Sequence, residues 1–464
     1  MSTDPPCGAA PYYDRALLAE QEQKETEKIQ SGPKAAYPFL VMISADQALQ
    51  IVLENVDPLG VERVPILEAL SRVLAEDISS SRDIPGFDNS AMDGYAVHAA
   101  DLAKASEASP VKLSVVETIG AGQMPTRRLS AGEATRTMTG APVADGADAI
   151  IPVERTRGTG DLVEFLAAAE KGAFIRPRGE DLRLGELVMS AGKTLTPADL
   201  GMLASVNRAM VEVIRRPRVA IVATGDELVD VDQPPVGAQV VNSSAYALAG
   251  AVREAGADPV ILKVARDDAR EIRERLAEAM TFDAVLSTGG VSVGQFDHVK
   301  GALDELGMRQ LFHGVAQKPG RPLKFGTVGY RPIFGLPGNP VSTLVCFYLY
   351  ARPALLKMSG RRRVGLPRVQ ARCAVDIKTS KDLTEFVRVK LERDGDGYQA
   401  TPTGSQGSGI LSSLSRADGL LIGPSTETLL KAGAQATVLL LGADGGTGAV
   451  TDDDALFEGR NHSQ

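Results

Sequence analysis

A regular alternation of strand-like and helix-like segments after Arg218 constrains the fold of this chain more than any other feature. Three runs rich in Val, Ile, Leu and Ala are typical of buried strands: RVAIVAT, PVILKVA and DAVLSTGG. Helical composition or spacing marks three others: SAYALAGAVREAGA, DDAREIRERLAEAM and NPVSTLVCFYLYARPALLKM. Such alternation builds βαβ units around a mostly parallel sheet, which binds ligands outside the carboxyl ends of its strands. We therefore predict an α/β domain over residues 215–361.

The residues before this domain change in character twice. Residues 83–182 contain short β-rich pieces separated by Gly, Pro and Asp turns, which predicts a compact β domain. On either side of it, residues 39–82 and 183–214 show helical spacing, with Ser44 as an N-cap candidate and with ILEALSRVLAED repeating leucine at helical intervals. We therefore expect the β domain to be inserted into a mainly helical domain.

The two ends of the chain differ from the centre. Residues 362–442 form a run of short β segments, which predicts a small all-β domain. Residues 1–38 include the charged run EQEQKETEK and no persistent apolar stripe, so we expect a mobile tail there and a second tail over residues 443–464. The expected fold class is multidomain, α/β plus β.

The overall composition argues against several classes of function. The chain carries a formal net charge of −9 with a pI near 5.2, whereas nucleic-acid phosphates select surfaces rich in Lys and Arg. No apolar run approaches the roughly 20 residues that cross a bilayer, and the start lacks a signal-peptide pattern, so we expect a cytoplasmic protein without membrane insertion. The absence of CxxC argues against a zinc site of that spacing.

A glycine-rich loop follows the third strand-like run. In STGGVSVGQFD the glycines are Gly289, Gly290 and Gly294, a spacing that differs from the dinucleotide fingerprint GxGxxG and from the phosphate loop GxxxxGK(S/T). It permits positive φ angles and close backbone approach, so the amides that follow Ser287 can face an anion. A plain βα turn explains the spacing equally well. The loop ends in the carboxylate of Asp297.

Three other motifs help to decide whether the glycine-rich loop binds an anion or is a plain βα turn. TGDE places carboxylates after the first strand-like run, so a second strand ends in a small residue, a glycine and acidic groups. GLPGNPVS offers Asn339 as an N-cap and Pro340 at the first helical position, which is typical of an anion-binding helix start or simply of a well-capped helix. QKPGRPLKFG supplies cations for a phosphate, or a solvated basic turn: Lys318, Arg321 and Lys324.

Together these motifs predict a site for a phosphorylated ligand and a hard divalent cation. Carboxylates repel a bare polyanion, but Mg²⁺ held by one or two of them reverses the sign of that contact. The candidate carboxylates are Asp226, Glu227, Asp267 and Asp297. In the predicted β domain, GFDNSAMDGYAV, RTMTGAPVADGADAIIPVE and RPRGED are polar turn sequences, and each taken alone is typical of a tight β-turn.

In their order and spacing, the motifs resemble those of the molybdopterin molybdenumtransferases, a family that includes the C-terminal region of gephyrin. The motifs that carry the resemblance span about residues 40–441: FDNSAMDGYAV, MTGAPV, RGED, TGDEL, STGGVSVGQFD, KPGRP and GLPGNPVS. The resemblance implies a four-domain homodimer with a helical domain, an inserted β domain, a molybdopterin-binding α/β domain and a C-terminal β barrel. It also implies a Mg²⁺-dependent reaction that takes adenylylated molybdopterin and molybdate and releases AMP and molybdenum cofactor, in a cleft between the α/β domain of one subunit and the β domain of the other.

The resemblance also assigns roles to individual residues. The catalytic positions that it implies are Asp93, Thr139, Glu227, Asp297 and Lys318. For the mechanism we expect Glu227 and Asp297 to bind Mg²⁺, directly or through water. Substrate-binding positions follow from the same motifs for Asp181, Asp267, Pro337, Pro340, Arg388 and Ser408. The loops themselves add further substrate-binding candidates: Asp226, Ser287, Gly289, Gly290, Gly294, Arg321, Gly338 and Asn339. Gly314 stands where some members of the family have a basic residue, so the anion contact of those members is not expected at this position. Arg321 stands where some members have lysine, which keeps the positive charge but changes the geometry of the hydrogen-bond donors.

Two alternative functions remain open at this stage. The adenylyltransferase that makes the substrate, and that we expect as a partner, shares the α/β fold and the STGGVSVG-type loop. The additional domains favour molybdenum insertion over adenylylation. The relation to gephyrin also suggests a scaffold protein, against which the full set of carboxylates and Lys318 argues for retained catalysis.

Overall fold

The computed structural model describes residues 42–158, 160–289, 298–395 and 397–442. Both predicted tails lie outside the described residues, as do Gly290, Gly294 and Asp297 of the glycine-rich loop. The α-helices are α1 (Ala45–Glu54), α2 (Pro197–Ser205), α3 (Ser243–Glu254), α4 (Ala269–Ala279), α5 (His298–Glu305), α6 (Pro340–Cys346), α7 (Arg352–Met358) and α8 (Leu411–Ser415). None of the helices in these ranges has the length and apolar character of a membrane-spanning segment.

The inserted β domain is built on one six-stranded sheet. The strands up to residue 214 are β1 (Val61–Pro65), β2 (Ile78–Ser79), β3 (Asn89–Ser90), β4 (Gly94–Val97), β5 (Val111–Ile119), β6 (Glu133–Thr137), β7 (Ala149–Pro152), β8 (Thr156–Arg157), β9 (Leu162–Phe165), β10 (Ile175–Arg176), β11 (Leu187–Met189) and β12 (Met210–Ile214). The sheet order is β7-β4-β6-β5-β9-β8, and its core includes an edge-to-face contact between Tyr95 and Phe165 at 5.5 Å. The predicted β character of this region is confirmed.

The domain that receives the insertion is held together by strand pairs from both sides of it. β1 pairs antiparallel with β12, and β2 pairs antiparallel with β11. α2 begins with a capping box between Thr196 and Asp199 and packs its Leu203 into the same small core. The chain therefore leaves this domain after β2 and returns to it at β11.

The helical prediction for this domain is wrong in part. ILEALSRVLAED forms a 3₁₀ turn at Ile66–Ala69 and not an α-helix, and Leu67 is 82% exposed. Ser71 adopts a positive φ of 62°, which ends any helix, and Leu74 bridges to Val213. Long-range strand pairing outweighs the local helical spacing here. α1 is helical as predicted, but it packs on α7 and joins the core of the α/β domain.

The α/β domain has the predicted, mostly parallel sheet. Its strands are β13 (Arg218–Ala223), β14 (Leu228–Val229), β15 (Val240–Val241), β16 (Asp258–Ile261), β17 (Ala284–Thr288), β18 (Arg309–His313), β19 (Gln317–Lys318), β20 (Lys324–Val328) and β21 (Arg331–Leu336). The sheet order is β16-β13-β17-β21-β20-β18; β16, β13, β17 and β21 are parallel, and β20 runs antiparallel to both of its neighbours, β21 and β18. Helices α1, α3, α6 and α7 cover one face, and α4 and α5 cover the other.

The long helix predicted from NPVSTLVCFYLYARPALLKM is present with one irregularity. α6 and α7 are joined by a π-helical segment at Phe347–Ala351. Pro353 has no N–H to give to the carbonyl of Leu349, and its ring crowds that carbonyl, which accounts for the wider turn just before α7.

The C-terminal domain is a closed five-stranded barrel. Its strands are β22 (Arg368–Cys373), β23 (Ile377–Lys378), β24 (Thr384–Asp394), β25 (Gly397–Pro402), β26 (Gly419–Gly423), β27 (Leu429–Leu430) and β28 (Gln435–Leu440). The order β24-β25-β22-β28-β26 closes because β26 also pairs with β24. The short strand β19 of the α/β domain pairs in parallel with β24, so this barrel sheet includes part of the KPGRP segment.

Candidate active site

The carboxyl ends of β13 and β17 form the switch point of the α/β sheet. From β13 the chain proceeds to β16 on one side, whereas β17 leads to strands on the other side, so the loops after β13 and β17 diverge. Open α/β sheets bind ligands at such a point. The two strand ends are joined by the N–H of Thr224, which donates to the carbonyl of Thr288 at 3.1 Å.

Glycine allows three loop backbones to converge at this point. Gly289 has a φ of +89°, and a Cβ at this residue would lie 2.7 Å from the carbonyl oxygen of Thr224. A Cβ on Gly338, from the loop after β21, would lie 3.8 Å from the Cα of Gly289. The predicted positive φ and close approach are therefore confirmed at Gly289. Gly290 and Gly294 lie outside the described residues, and Ser287 is buried at the end of β17.

A cavity of about 320 Å³ opens beside these loops. Of the predicted site residues, Glu227, Gly289, Gly338 and Pro340 line it. Sequence reasoning missed the start of α3, where Asn242, Ser243 and Ser244 line the same cavity and the Asn242 side chain caps the helix. The NSS run before a helical segment is a readable cap signal. The cavity wall therefore combines glycine backbones, hydroxyl groups and one carboxylate.

The predicted carboxylates after β13 lie on adjoining loops. Glu227 is exposed, and its carboxylate folds to within 2.5 Å of the position that a Cβ on Gly225 would take. The carboxylate of Asp226 accepts a hydrogen bond from the N–H of Asp267 at 3.2 Å. This bond brings Asp226 and Asp267 together, and Glu227 follows Asp226 in the chain and lines the cavity, while Asp297 lies outside the described residues.

The start of α6 differs from the prediction. Asn339 occupies the N-cap position, but its side chain makes no capping bond and donates to the hydroxyl of Ser408 at 3.0 Å. The first N–H of α6, on Val341, donates to the carbonyl of Ser408 at 3.1 Å and is not available to an anion. Ser408 therefore holds a loop of the barrel domain against the start of α6, next to Pro340. At the same helix start, the hydroxyl of Thr343 donates to the carbonyl of Pro337.

Arg388 lies behind that barrel loop and not in the cavity. It is 1% exposed, and its guanidinium donates to the carbonyl of Gly407 at 3.1 Å and to the hydroxyl of Ser413 at 3.2 Å. Burial lowers the pKa of Arg388. The guanidinium is enclosed by the barrel and supports the loop that leads to Ser408, so the substrate-binding role of Arg388 stays a prediction.

The KPGRP turn is anchored on both sides. The buried side chain of Gln317 donates to the carbonyl of Pro319 at 3.0 Å and accepts from the hydroxyl of Tyr350 in the π-helical segment. Lys318 forms an ion pair with Glu385 of the barrel at 2.9 Å. Arg321 is exposed on the same turn. Sequence reasoning missed Gln317 and Glu385, because partners from distant segments leave no local signal.

The inserted domain contributes a second cluster. The carboxylate of Asp93 accepts from the N–H and from the hydroxyl of Thr139, both at 2.7 Å. These two bonds, with a smaller contribution from the charge of Arg136, hold the pKa of Asp93 below its ordinary value. Asp181 is exposed on the RGED turn. Among the described residues, no hydrogen bond or ion pair connects Asp93, Thr139 or Asp181 with the α/β cavity.

Comparisons with known proteins agree with this architecture. Three family models match in order: the MoeA N-terminal region (domain I and II) over residues 43–207, the probable molybdopterin binding domain over residues 220–357, and the MoeA C-terminal region (domain IV) over residues 370–441. The span of these matches corresponds to that of the sequence motifs.

Relatives of similar length match over nearly their whole length. A molybdopterin molybdenumtransferase of Nostoc sp. is 34% identical over 90% of this chain and 98% of its own. A molybdopterin molybdenumtransferase 2 of Mycobacterium tuberculosis is 37% identical over 86% of this chain and 99% of its own. A solved molybdopterin biosynthesis MoeA protein from Pyrococcus horikosii aligns with a TM-score of 0.74 and 34% identity, over 86% of this chain and 99% of that one. The chain therefore belongs to the MoeA family of molybdopterin molybdenumtransferases.

Proposed function

We propose that this protein inserts molybdenum from molybdate into adenylylated molybdopterin, with release of AMP and molybdenum cofactor. The observation that carries the proposal is the cavity at the switch point of the α/β sheet, where Glu227 faces a wall of glycine backbone and serine hydroxyls. The relatives that match the whole folded region are named for this transferase activity, which supports the same conclusion.

The described residues fit a reaction driven by positioning and electrostatics. The backbones of Gly289 and Gly338 let a ligand approach closely, and the hydroxyls of Ser243 and Ser244 offer donors to phosphate oxygens. Lys318, with Arg321 on the same turn, would neutralise phosphate charge. Phosphoryl chemistry is catalysed mainly by such positioning and charge stabilisation, so the protein needs no covalent nucleophile.

The carboxylates after β13 fit the Mg²⁺ ion that the family implies. Mg²⁺ is bound through one or two carboxylates together with substrate phosphates and water, and it does not need an all-protein cage. That agrees with the described residues, which contain no cluster of three or more His, Cys, Asp or Glu side chains able to hold a metal, but do present Glu227 exposed at the cavity. Glu227 and Asp297 are the proposed ligands, and the bound ion would offset the charge of the phosphoanhydride.

Reconstitution tests the proposed reaction directly. Purified protein with adenylylated molybdopterin, Mg²⁺ and molybdate should release AMP and yield a product that activates an apo-molybdoenzyme. Glu227→Gln should slow AMP release at least tenfold, because the amide keeps the shape of the side chain but loses the charge. Wild-type protein that forms adenylylated molybdopterin from ATP and molybdopterin, without consuming it, would instead support the adenylyltransferase.

We further propose a homodimer in which the cleft is shared. Asp93, Thr139 and Asp181 do not contact the α/β cavity of their own chain in the described residues, so a second copy would have to bring them to it. Large apolar side chains are exposed on the domain that receives the insertion, and an exposed set of this kind is typical of an association surface: Val61, Leu67, Leu70 and Leu187. Light scattering after gel filtration should give twice the mass of the chain; a monomer at micromolar concentration would contradict the proposal.

The proposed reaction also places the protein after an adenylyl transfer. Its substrate must be supplied by an enzyme that joins an AMP group to molybdopterin, so a molybdopterin adenylyltransferase is the proposed partner, with both enzymes in the cytoplasm. Transfer of the intermediate without release predicts that added unlabelled adenylylated molybdopterin would not dilute the label that passes through the coupled pair, which an isotope-dilution experiment measures.

A further inference from the structure

The side chain of Lys318 is held at its tip by the C-terminal barrel. Its Nζ lies 2.9 Å from Oε1 of Glu385 and 3.5 Å from the hydroxyl of Ser380, which in turn donates to Oε2 of Glu385 at 3.1 Å. The side chain of Glu385 is only 6% exposed, whereas that of Lys318 is 51% exposed. The pair therefore has its negative end in the protein and its positive end toward solvent.

The backbone of Lys318 is fixed as well. β19 pairs with β24 so that Lys318 lies opposite Glu385 in register, and the preceding Gln317 pairs with Thr384. The side chain of Gln317 is fully buried and bonds to the carbonyl of Pro319, on the other side of Lys318. Both the backbone and the ammonium group of Lys318 are thus held in place without a bound ligand.

We propose that Glu385 is a positioning residue for Lys318 in the binding of the substrate phosphate. This inference rests on the proposed function, in which Lys318 neutralises that phosphate. An ammonium group has three N–H donors, and Glu385 and Ser380 take up at most two of them among the described residues, which leaves one for an anion. A long lysine side chain loses much rotamer freedom when it binds, and the ion pair removes that freedom in advance.

A different role for Glu385 would have the opposite effect. If the carboxylate only cancelled the charge of Lys318, its removal would strengthen the hold of Lys318 on an anion. If the carboxylate positions the ammonium, its removal makes Lys318 contribute less. A double-mutant cycle separates the two roles, because it measures how the effect of Lys318 depends on Glu385.

The cycle uses the full-length protein and AMP as the probe, with binding measured by titration calorimetry in the presence of Mg²⁺. Lys318→Ala should weaken AMP binding about tenfold in the wild-type background and about threefold or less in the Glu385→Gln background. An equal or larger effect of Lys318→Ala in the Glu385→Gln background overturns the inference and leaves the proposed function intact. No effect of Lys318→Ala in the wild-type background overturns both the inference and the proposed role of Lys318.

Two further variants guard against general disturbance of the barrel. Asp394→Asn removes the carboxylate of another ion pair on β24, the one with Arg372 at 3.5 Å, and should leave AMP binding unchanged. Ser380→Ala keeps the charge of Glu385 but removes the hydroxyl that orients it. In the Ser380→Ala background, Lys318→Ala should therefore weaken AMP binding less than in the wild type, but more than in the Glu385→Gln background. This variant tests the inference should Glu385→Gln fail to fold, and an undiminished effect of Lys318→Ala in it would count against positioning.

Discussion

At the scale of single residues, one absent Cβ governs how closely the loops of the cavity approach each other. A side chain at Gly289 would meet the carbonyl of Thr224 at 2.7 Å and would also have to adopt a φ of +89°. Gly289→Ala should therefore force the loops after β13 and β17 apart. We expect AMP affinity to fall at least tenfold and the thermal midpoint to drop by a few degrees, because non-glycine residues at positive φ cost about 1 kcal/mol or more.

Gly307 provides a matched control for that substitution. It lies in the same domain, has a φ of +78°, and a Cβ there would meet nothing within 4 Å. Gly307→Ala carries the same type of backbone strain without the clash, so it should lower the thermal midpoint and leave AMP affinity unchanged. Equal losses of affinity in both variants would show that strain, and not loop separation, is responsible.

The contact of Asp93 with Thr139 leads to a prediction about pH. Hydrogen bonds from Thr139 lower the pKa of Asp93 below its ordinary value of 3.8, so the carboxylate stays ionised at all higher pH values and protonates only as the pH falls through the lowered pKa. The rate of AMP release should therefore not fall through protonation of Asp93 as the pH is lowered from about pH 8 to about pH 5. A fall in the rate over this pH range that is present in the wild type and absent in Asp93→Asn would contradict the lowered pKa of Asp93.

At the scale of structural elements, the loop between β25 and α8 depends on a buried arginine. Arg388→Met keeps much of the side-chain volume but leaves the carbonyl of Gly407 and the hydroxyl of Ser413 without a donor. We expect a loss of about 2 kcal/mol in stability, together with weaker AMP binding as Ser408 shifts. Arg416→Met is the control, because Arg416 is exposed just after α8 and its side-chain hydrogen bonds within the described part of the chain go to Ser412, so both quantities should stay within error. Calorimetric unfolding measures the stability, since the chain contains no tryptophan.

Elements with a local signal were predictable, and elements with distant partners were not. The strands and helices after Arg218 repeat an apolar pattern within each segment, and all of those predicted elements are present. ILEALSRVLAED has the same apparent periodicity, yet its neighbour in space is β12, far along the chain, and the segment forms a 3₁₀ turn beside β1. Nothing within that segment signals its partner.

The candidate site shows the same division. Glycine and carboxylate motifs at strand ends predicted the loops that meet, because parallel strands bring their carboxyl ends to one edge. The sequence did not reveal that Asn339 bonds to Ser408, that Arg388 is enclosed, or that Glu385 pairs with Lys318. The Asn339–Ser408 and Lys318–Glu385 contacts join the barrel to the α/β domain, and side-chain partners across such a junction depend on how the two domains pack. The partners of Arg388 lie on a distant segment of its own domain.

At the scale of the whole molecule, the shared-cleft proposal predicts that inactive subunits restore one another. Asp93→Asn and Lys318→Ala damage the inserted domain and the α/β side respectively. In a mixed dimer both changes would fall in one cleft and leave the other intact, so subunits mixed in equal amounts and allowed to exchange should recover about a quarter of wild-type AMP release. Recovery no greater than the sum of the two separate variants would indicate that each chain builds its own site.

The insertion of the β domain has a consequence for synthesis. Val61 pairs with Ile214, and the complete six-stranded sheet of the inserted domain lies between these two residues. During synthesis on the ribosome, the whole inserted domain emerges after β1 and before β12. β1 therefore cannot form its strand pair until the inserted domain is complete, and holding the two ends of a long unfolded loop together would cost entropy. We therefore expect the inserted domain to fold before the domain that receives it, and Val64, the buried residue of β1, to lack its packing partners until β12 has been synthesised.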